Sequence, residues 1–368
     1  MAQKTPFYQQ HQQAGAKLVD FAGWQMPLHY GSQIAEHHYV RNDAGMFDVS
    51  HMTIVDIKGE QAKAYLQYLL ANNVAKLKMA GKALYSCMLN EHGGVVDDLI
   101  AYYFADDHYR LVVNSATREK DLVWLQQHAQ NFTVALQEQQ ALAILAVQGP
   151  QAITKLKAIF SPIEQAQIDA LKPFTSLTLG EVFIARTGYT GEEGVEIILP
   201  SKQASELWQQ LLALDVKPCG LAARDTLRLE AGMNLYGNDM DEATSPLDSG
   251  LAWTVSFKDE ARNFIGKSAL LAQKKRGVNR RLVGLVLEDR GIMRRGYKVM
   301  NKGSEGEITS GIFSPTLQKS IAFARIPATI QHACFVEIRG KQIPAKIVTL
   351  PFVREGQPVY KAIARSLL

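Results

Sequence analysis

The texture of this sequence changes once, near residues 274–281, and that change limits the folds open to it. Beyond the change come short strand-like runs at 282–287, 321–323, 335–338 and 343–349, separated by Gly, Ser and Pro, with no helical periodicity. Such a pattern predicts a small all-β barrel or sandwich. Before it, residues 61–70 and 201–214 carry apolar residues at helical spacing, the second opening on a cap-like Pro200-Ser201. Strand-like runs at 53–57, 95–104, 109–113, 143–147, 182–185 and 195–199 are rich in Val, Ile, Leu and aromatics. The segment 183–199 reads as a hairpin around a glycine-punctuated turn. The expected class is therefore α+β, with the basic stretch Lys274-Lys275-Arg276-Gly277-Val278-Asn279-Arg280-Arg281 as linker between regions 1–275 and 282–368. A length of 368 residues suits two or three domains.

Charge and cysteine usage narrow the partners. Forty Lys and Arg against 36 Asp and Glu leave a formal charge of +4, too small for a polyanion footprint, so nucleic acid is not expected. Cys87, Cys219 and Cys334 lie far apart without C-x-x-C spacing, which predicts neither a disulfide framework nor a zinc site and points to a reducing compartment. The polar, Gln-rich segment 1–13 lacks the apolar stretch of a signal peptide. The longest uncharged apolar runs, 99–105 and 141–147, are of strand length, so no membrane span and a cytoplasmic location are expected.

Several residues stand out chemically. Asp97 and Asp98 are adjacent carboxylates in an apolar run after Gly93-Gly94, and adjacent strand residues face opposite ways, so the two cannot share one task. One is free to enter a cavity as a proton or orienting acceptor while the other caps, pairs or meets solvent. Gly188, Gly191 and Gly194 resemble part of a phosphate loop, but a strand follows them where a nucleotide fingerprint needs a helix. Glu196, inside that strand, suits two parallel hydrogen bonds from an N–H/NH2 edge, or it is an exposed strand carboxylate. Arg224 and Arg228 fall one turn apart on a short helix at 221–231, as anion or ring-edge ligands or as partners of Asp225 and Glu230. His37 and His38 follow Glu36 without the spacing of a metal site. Asn114-Ser115-Ala116-Thr117 looks like a strand end and helix start, with Ser115 or Thr117 capping. Tyr85, Tyr102, Tyr189, Tyr236 and Trp253 are aromatics near these motifs, suited to stack on a flat ring or to fill the core.

Taken in series, FAGWQMPLHY at 21–30, FDVSHM at 47–52, GGVVDD at 93–98, VNSAT at 113–117, GYTGEEG at 188–194, GLAARDTLRLEAGMNLYG at 220–237 and TSGIFSPTL at 309–317 closely resemble the aminomethyltransferase family, the T-protein of the glycine cleavage system. The resemblance spans nearly the whole chain. It implies a three-lobed folate-binding fold, with two intertwined α/β front lobes and a C-terminal β-barrel, and a place in glycine catabolism and one-carbon metabolism. The implied reaction moves the methylene unit of an S-aminomethyl-dihydrolipoyl arm, carried by H-protein, to tetrahydrofolate, giving 5,10-methylenetetrahydrofolate and ammonia.

Carried over position by position, the resemblance implies Asp97 as catalytic carboxylate and Glu196 as the grip on the pterin's donor edge. Arg224 and Arg354 match folate-contacting arginines, and Met52, Tyr85, Asn114, Tyr189 and Tyr236 match positions that line the folate channel. The implied partners are tetrahydrofolate and lipoylated H-protein, the latter supplying the lipoyl group. Val195 departs from the aromatic that many relatives carry before the glutamate, and the tail after Arg354 matches no motif. A basic surface around Arg41, Lys76, Lys78 and Lys82, or the linker, suits an acidic carrier protein. The alternatives are a folate-binding relative acting in tRNA modification and a non-catalytic folate-binding module.

Overall fold

In the computed structural model, which describes residues 2–301 and 303–363, the chain divides into two units. The first comprises Met1–Leu69, Asn73–Ser86 and Asp98–Asp225; the second comprises Leu70–Asn72, Cys87–Asp97 and Thr226–Leu368. Residues 364–368 of the tail after Arg354 lie outside the described residues. No helix among the described residues is long and apolar enough to cross a membrane.

The first unit holds one larger sheet whole and most of a second. One has six strands in the order Ser176–Leu179, Val182–Ala185, Gly194–Pro200, Leu142–Gln148, Gly45–Asp48 and Lys217–Pro218, antiparallel except for the last pair. The expected hairpin is present, with Phe183 opposite Ile198 and Ala185 opposite Glu196. Helix Ala204–Ala213 buries Ala204, Leu207, Trp208 and Leu211, the spacing that places four side chains on one stripe. These join Val147, Val195 and Ile197 of the sheet in one apolar cluster. The Pro200-Ser201 start is a tight turn of 3-10 helix, Ser201–Gln203, with no side-chain cap bond. The second sheet runs Ala83–Leu89, Val95–Ala105, His108–Val113, Thr53–Lys58 and Ala135–Glu138. Thr117 stands at the N-cap of helix Arg118–Ala129, but its hydroxyl donates to the Asn114 carbonyl (3.0 Å) and caps nothing.

The second unit contains the barrel expected from the strand-only texture. Its closed order is Arg280–Leu287, Lys319–Pro327, Ser304–Ser314, Lys298–Asn301, Ala333–Ile338 and Lys341–Val348. Leu285, Val299, Ile326, Val336 and Ile347 fill the interior. The basic stretch is not an irregular linker: Lys274 to Arg276 form the last turn of helix Lys267–Arg276, and Arg280 and Arg281 open the first barrel strand, so only 277–279 connect them. Cations at a helix C-terminus complement its dipole, which explains a charge run without apolar periodicity.

Two arginines tie irregular segments of this unit together. Arg262 donates to the carbonyls of Leu70, Ala71, Asn72 and Ser256 at 2.7–3.1 Å, satisfying backbone acceptors that lie outside any ladder. Arg228 donates to Asp239 (2.9 Å) and to the Ser310 hydroxyl (3.0 Å) in a fully buried cluster. Asp239 also accepts from Thr309, Ser310 and the Leu235 N–H. Gly94 is required by packing, since a Cβ there would stand 1.8 Å from the Glu242 carbonyl oxygen. That close approach sets the entry of the strand bearing Asp97.

Removing one member of a buried, hydrogen-bonded ion pair leaves the other charge uncompensated. Arg228→Met should therefore cost about 3–5 kcal/mol of stability, read as a lowered urea midpoint with an unchanged slope.

Candidate functional site

Strand Gly194–Pro200 places Glu196 between two alanines, Ala146 on one neighbouring strand and Ala185 on the other. Neither crowds the half-buried carboxylate. Its Oε2 accepts the Thr187 hydroxyl at 2.6 Å, and Thr187 Oγ1 is 3.1 Å from the Tyr102 hydroxyl. Because Thr187 has one proton and gives it to Glu196, Tyr102 is the donor to Thr187. Burial, with the Glu196 charge adding to it, pushes the Tyr102 pKa up and keeps it a phenol.

Helix Leu221–Glu230 brings Arg224 to the same unit, where its guanidinium carbon lies 4.6 Å from the centre of the Tyr189 ring. A stacked arginine of this kind keeps its planar fork directed while staying partly out of water. Desolvation lowers its pKa, opposed by the charge of Glu196. An acceptor carboxylate, a forked cation and an aromatic face thus stand in one unit. That set matches a flat heterocycle with a donor edge and an acceptor group.

The adjacent carboxylates take different surroundings, as strand alternation requires. Asp98 accepts the Tyr85 hydroxyl (2.8 Å) and the Asn114 amide (3.0 Å), and the same amide reaches the Asp98 carbonyl at 3.2 Å. Two predicted channel residues therefore converge on Asp98. Asp97 is fully buried and faces the other side of the strand. In the second unit Tyr236 donates to the carbonyl of Val95, two residues before Asp97, at 3.1 Å. Arg354 lies exposed in the two-residue strand Val353–Arg354, with no ion pair among the described residues. Arg41 is buried and paired with Glu192, so it belongs to no basic surface.

Two neighbours of these residues are not singled out by the sequence: Thr187, which fastens Glu196, and His51, inside the FDVSHM motif. The Met52 N–H closes a turn on the Val49 carbonyl (3.0 Å), which joins Gly45–Asp48 of one sheet to Thr53–Lys58 of the other. His51 sits in that turn before Met52, buried, with the edge of Phe21 on its ring at 5.5 Å and no hydrogen bond to Nδ1 among the described residues. Burial lowers its pKa to about 4, against the pull of Asp48 and together with the charge of Arg224. A histidine one position before Met52, an expected channel residue, was the available signal.

Known proteins resemble this chain over nearly its whole length. Residues 7–259 match the GCVT N-terminal domain, and residues 280–354 match the Glycine cleavage T-protein C-terminal barrel domain. An aminomethyltransferase of Legionella pneumophila (strain Corby) is 56% identical over 360 residues, 98% of this chain and 100% of that protein. An aminomethyltransferase of Xanthomonas axonopodis pv. citri is 55% identical over 97% of this chain and 98% of its own length. The crystal structure of glycine cleavage system aminomethyltransferase T from Bartonella henselae superposes with a TM-score of 0.90 at 37% identity, covering 96% of this chain and 99% of that one.

The depressed His51 pKa has a defined pH signature. Above about 6.5 the ring is neutral folded or unfolded; below it the unfolded chain takes up a proton that the folded ring refuses until about 4. Its contribution to stability should fall by up to about 3 kcal/mol as pH drops through that window. Urea unfolding of wild type and His51→Gln from pH 7 to pH 4 should show the gap between them shrinking or reversing toward low pH.

Proposed function

This chain belongs to the glycine cleavage T-protein family of aminomethyltransferases, and we propose that it takes the S-aminomethyl group of a dihydrolipoyl arm on H-protein, releases ammonia and passes the methylene unit to tetrahydrofolate. The carbon loses its bonds to sulfur and to the amine nitrogen and gains bonds to two folate nitrogens. The hydrogens that leave those nitrogens end on the thiol and on ammonia. The observation that supports this reading best is Arg224 stacked on Tyr189 and acted on by the charge of Glu196, within the region that matches the family.

Each residue has a physical task. Glu196, with one oxygen already engaged by Thr187, accepts from the N–H/NH2 edge of the pterin. Arg224 donates through its fork to a carbonyl or carboxylate of the folate, and Tyr189 supplies an aromatic face. Asp97 orients the folate amine as nucleophile and handles its proton as the aminomethyl carbon becomes electrophilic. Met52, Tyr85, Asn114, Tyr236 and Arg354 complete the proposed folate contacts.

One observation favours a second assignment of the proton-handling group. Tyr85 and Asn114 are both proposed folate neighbours, and both are bonded to Asp98. On that assignment Asp98 acts at the folate nitrogens and Asp97 is a structural carboxylate.

Mixing the protein with tetrahydrofolate and aminomethyl-loaded H-protein should yield 5,10-methylenetetrahydrofolate and ammonia in equal amounts; folate binding without product would return the protein to the non-catalytic folate binders. Asp97→Asn should lower kcat roughly 10²–10⁴-fold with little change in folate affinity, while Asp98→Asn acts mainly on KM. The reverse pattern would assign the proton to Asp98.

A further inference from the structure

Helix Gln33–Asn42 sends out two buried polar arms that the reaction does not use directly. Glu36 accepts from the backbone N–H of Gly220 (2.8 Å) through one oxygen and from that of Tyr30 (2.7 Å) through the other. Gly220 immediately precedes the helix bearing Arg224, and it has no space for a side chain, since a Cβ would lie 2.4 Å from the Leu28 carbonyl oxygen. The carboxylate of Glu36 therefore fixes where the Arg224 helix begins.

Arg41, five residues on and about 140° further round the helix, reaches the other half of the pair. Its Nη1 donates to the Thr190 carbonyl and to Glu192 Oε1, each at 2.7 Å, with both charged side chains 3% exposed. Thr190 follows Tyr189 directly, and Glu192 lies two positions further along the same loop. The loop is also held from the sheet side, where Gln148 accepts the Thr190 hydroxyl (2.8 Å) and donates to the carbonyls of Thr187 and Val195. A surface ion pair contributes little to rigidity; one that is buried and shared with a backbone carbonyl has a single low-energy geometry.

We propose that Glu36 and Arg41 are paired positioning residues, which from one rigid helix set the Arg224 guanidinium and the Tyr189 ring in the contact that receives the folate. The proposal rests on the folate reading of Arg224 and Tyr189 given above. Neither residue is assigned to touch the ligand; each acts through one member of the stacked pair. Their separation along the helix makes that helix the ruler for the pair.

The test is a double-mutant cycle on tetrahydrofolate binding, with circular dichroism and thermal melts reporting that each variant is folded. Arg41→Lys keeps the charge without the planar fork, and should raise Kd and KM about tenfold with kcat within about twofold. In a Tyr189→Ala background the same lysine substitution should change Kd less than about twofold, because the group it positions is gone. Amide exchange at residues 188–193 should quicken in Arg41→Lys. Glu36→Gln, whose amide faces an N–H donor, is tested in the same way against Arg224→Lys. If Arg41→Lys proves unstable, Glu192→Gln carries the cycle. An equal loss of affinity in both backgrounds, or a lowered melting temperature with unchanged Kd, would overturn the positioning role alone. Wild-type protein that bound no tetrahydrofolate would overturn the folate reading and the positioning role with it.

Discussion

A carboxylate buried at the end of a strand governs the first unit. Asp48 has no exposed side-chain surface, yet it is held by His11 (2.8 Å), the Thr5 hydroxyl (2.6 Å) and the Ser50 N–H (2.9 Å). Burial alone would raise its pKa, but the His11 and Thr5 hydrogen bonds and the His11 charge outweigh it and leave the carboxyl below its ordinary range. Tyr30 completes the chain by meeting His11 Nδ1 at 2.8 Å. The N-terminal helix Tyr8–Gln13, strand Gly45–Asp48 and the Val49–Met52 turn are thereby fastened to one another. Because that turn carries His51 and Met52, the candidate site inherits its geometry from a hydrogen-bonded charge that takes no part in it.

The same logic recurs with different residues. Asp239 in the second unit gathers Arg228, Thr309 and Ser310, and Glu230 gathers Ser314 and Thr316. Burying a carboxylate is expensive unless its oxygens are hydrogen-bonded, and each of these is surrounded by donors. Such clusters select one arrangement of the loops around them more sharply than apolar contacts do, since a slipped hydrogen bond leaves a charge without its partner.

Much of the fold was legible because local patterns and burial agree. The strand-only texture after residue 282 became a closed barrel, and the runs at 53–57, 95–104, 109–113 and 143–147 became strands that extend at one or both ends. Where local chemistry has two meanings, the reading went astray. Arg41 looked like surface because its partner Glu192 lies 151 residues away. Tyr85 and Asn114 were singled out by the resemblance to the family. That both bond Asp98 depends on strand pairing, which one-dimensional spacing does not encode.

The direction of the Tyr102, Thr187, Glu196 chain carries a further consequence. With Thr187's only proton committed to Glu196, the hydrogen bonds run one way, from phenol to hydroxyl to carboxylate. The remaining oxygen of Glu196 is an acceptor and nothing else. A ring edge that offers hydrogens there is drawn in, while an isosteric edge that offers lone pairs meets negative charge with no proton available to reverse the polarity. For the proposed folate ligand, the strand would thus sort heterocycles by which atoms hold their protons before shape is tested at all.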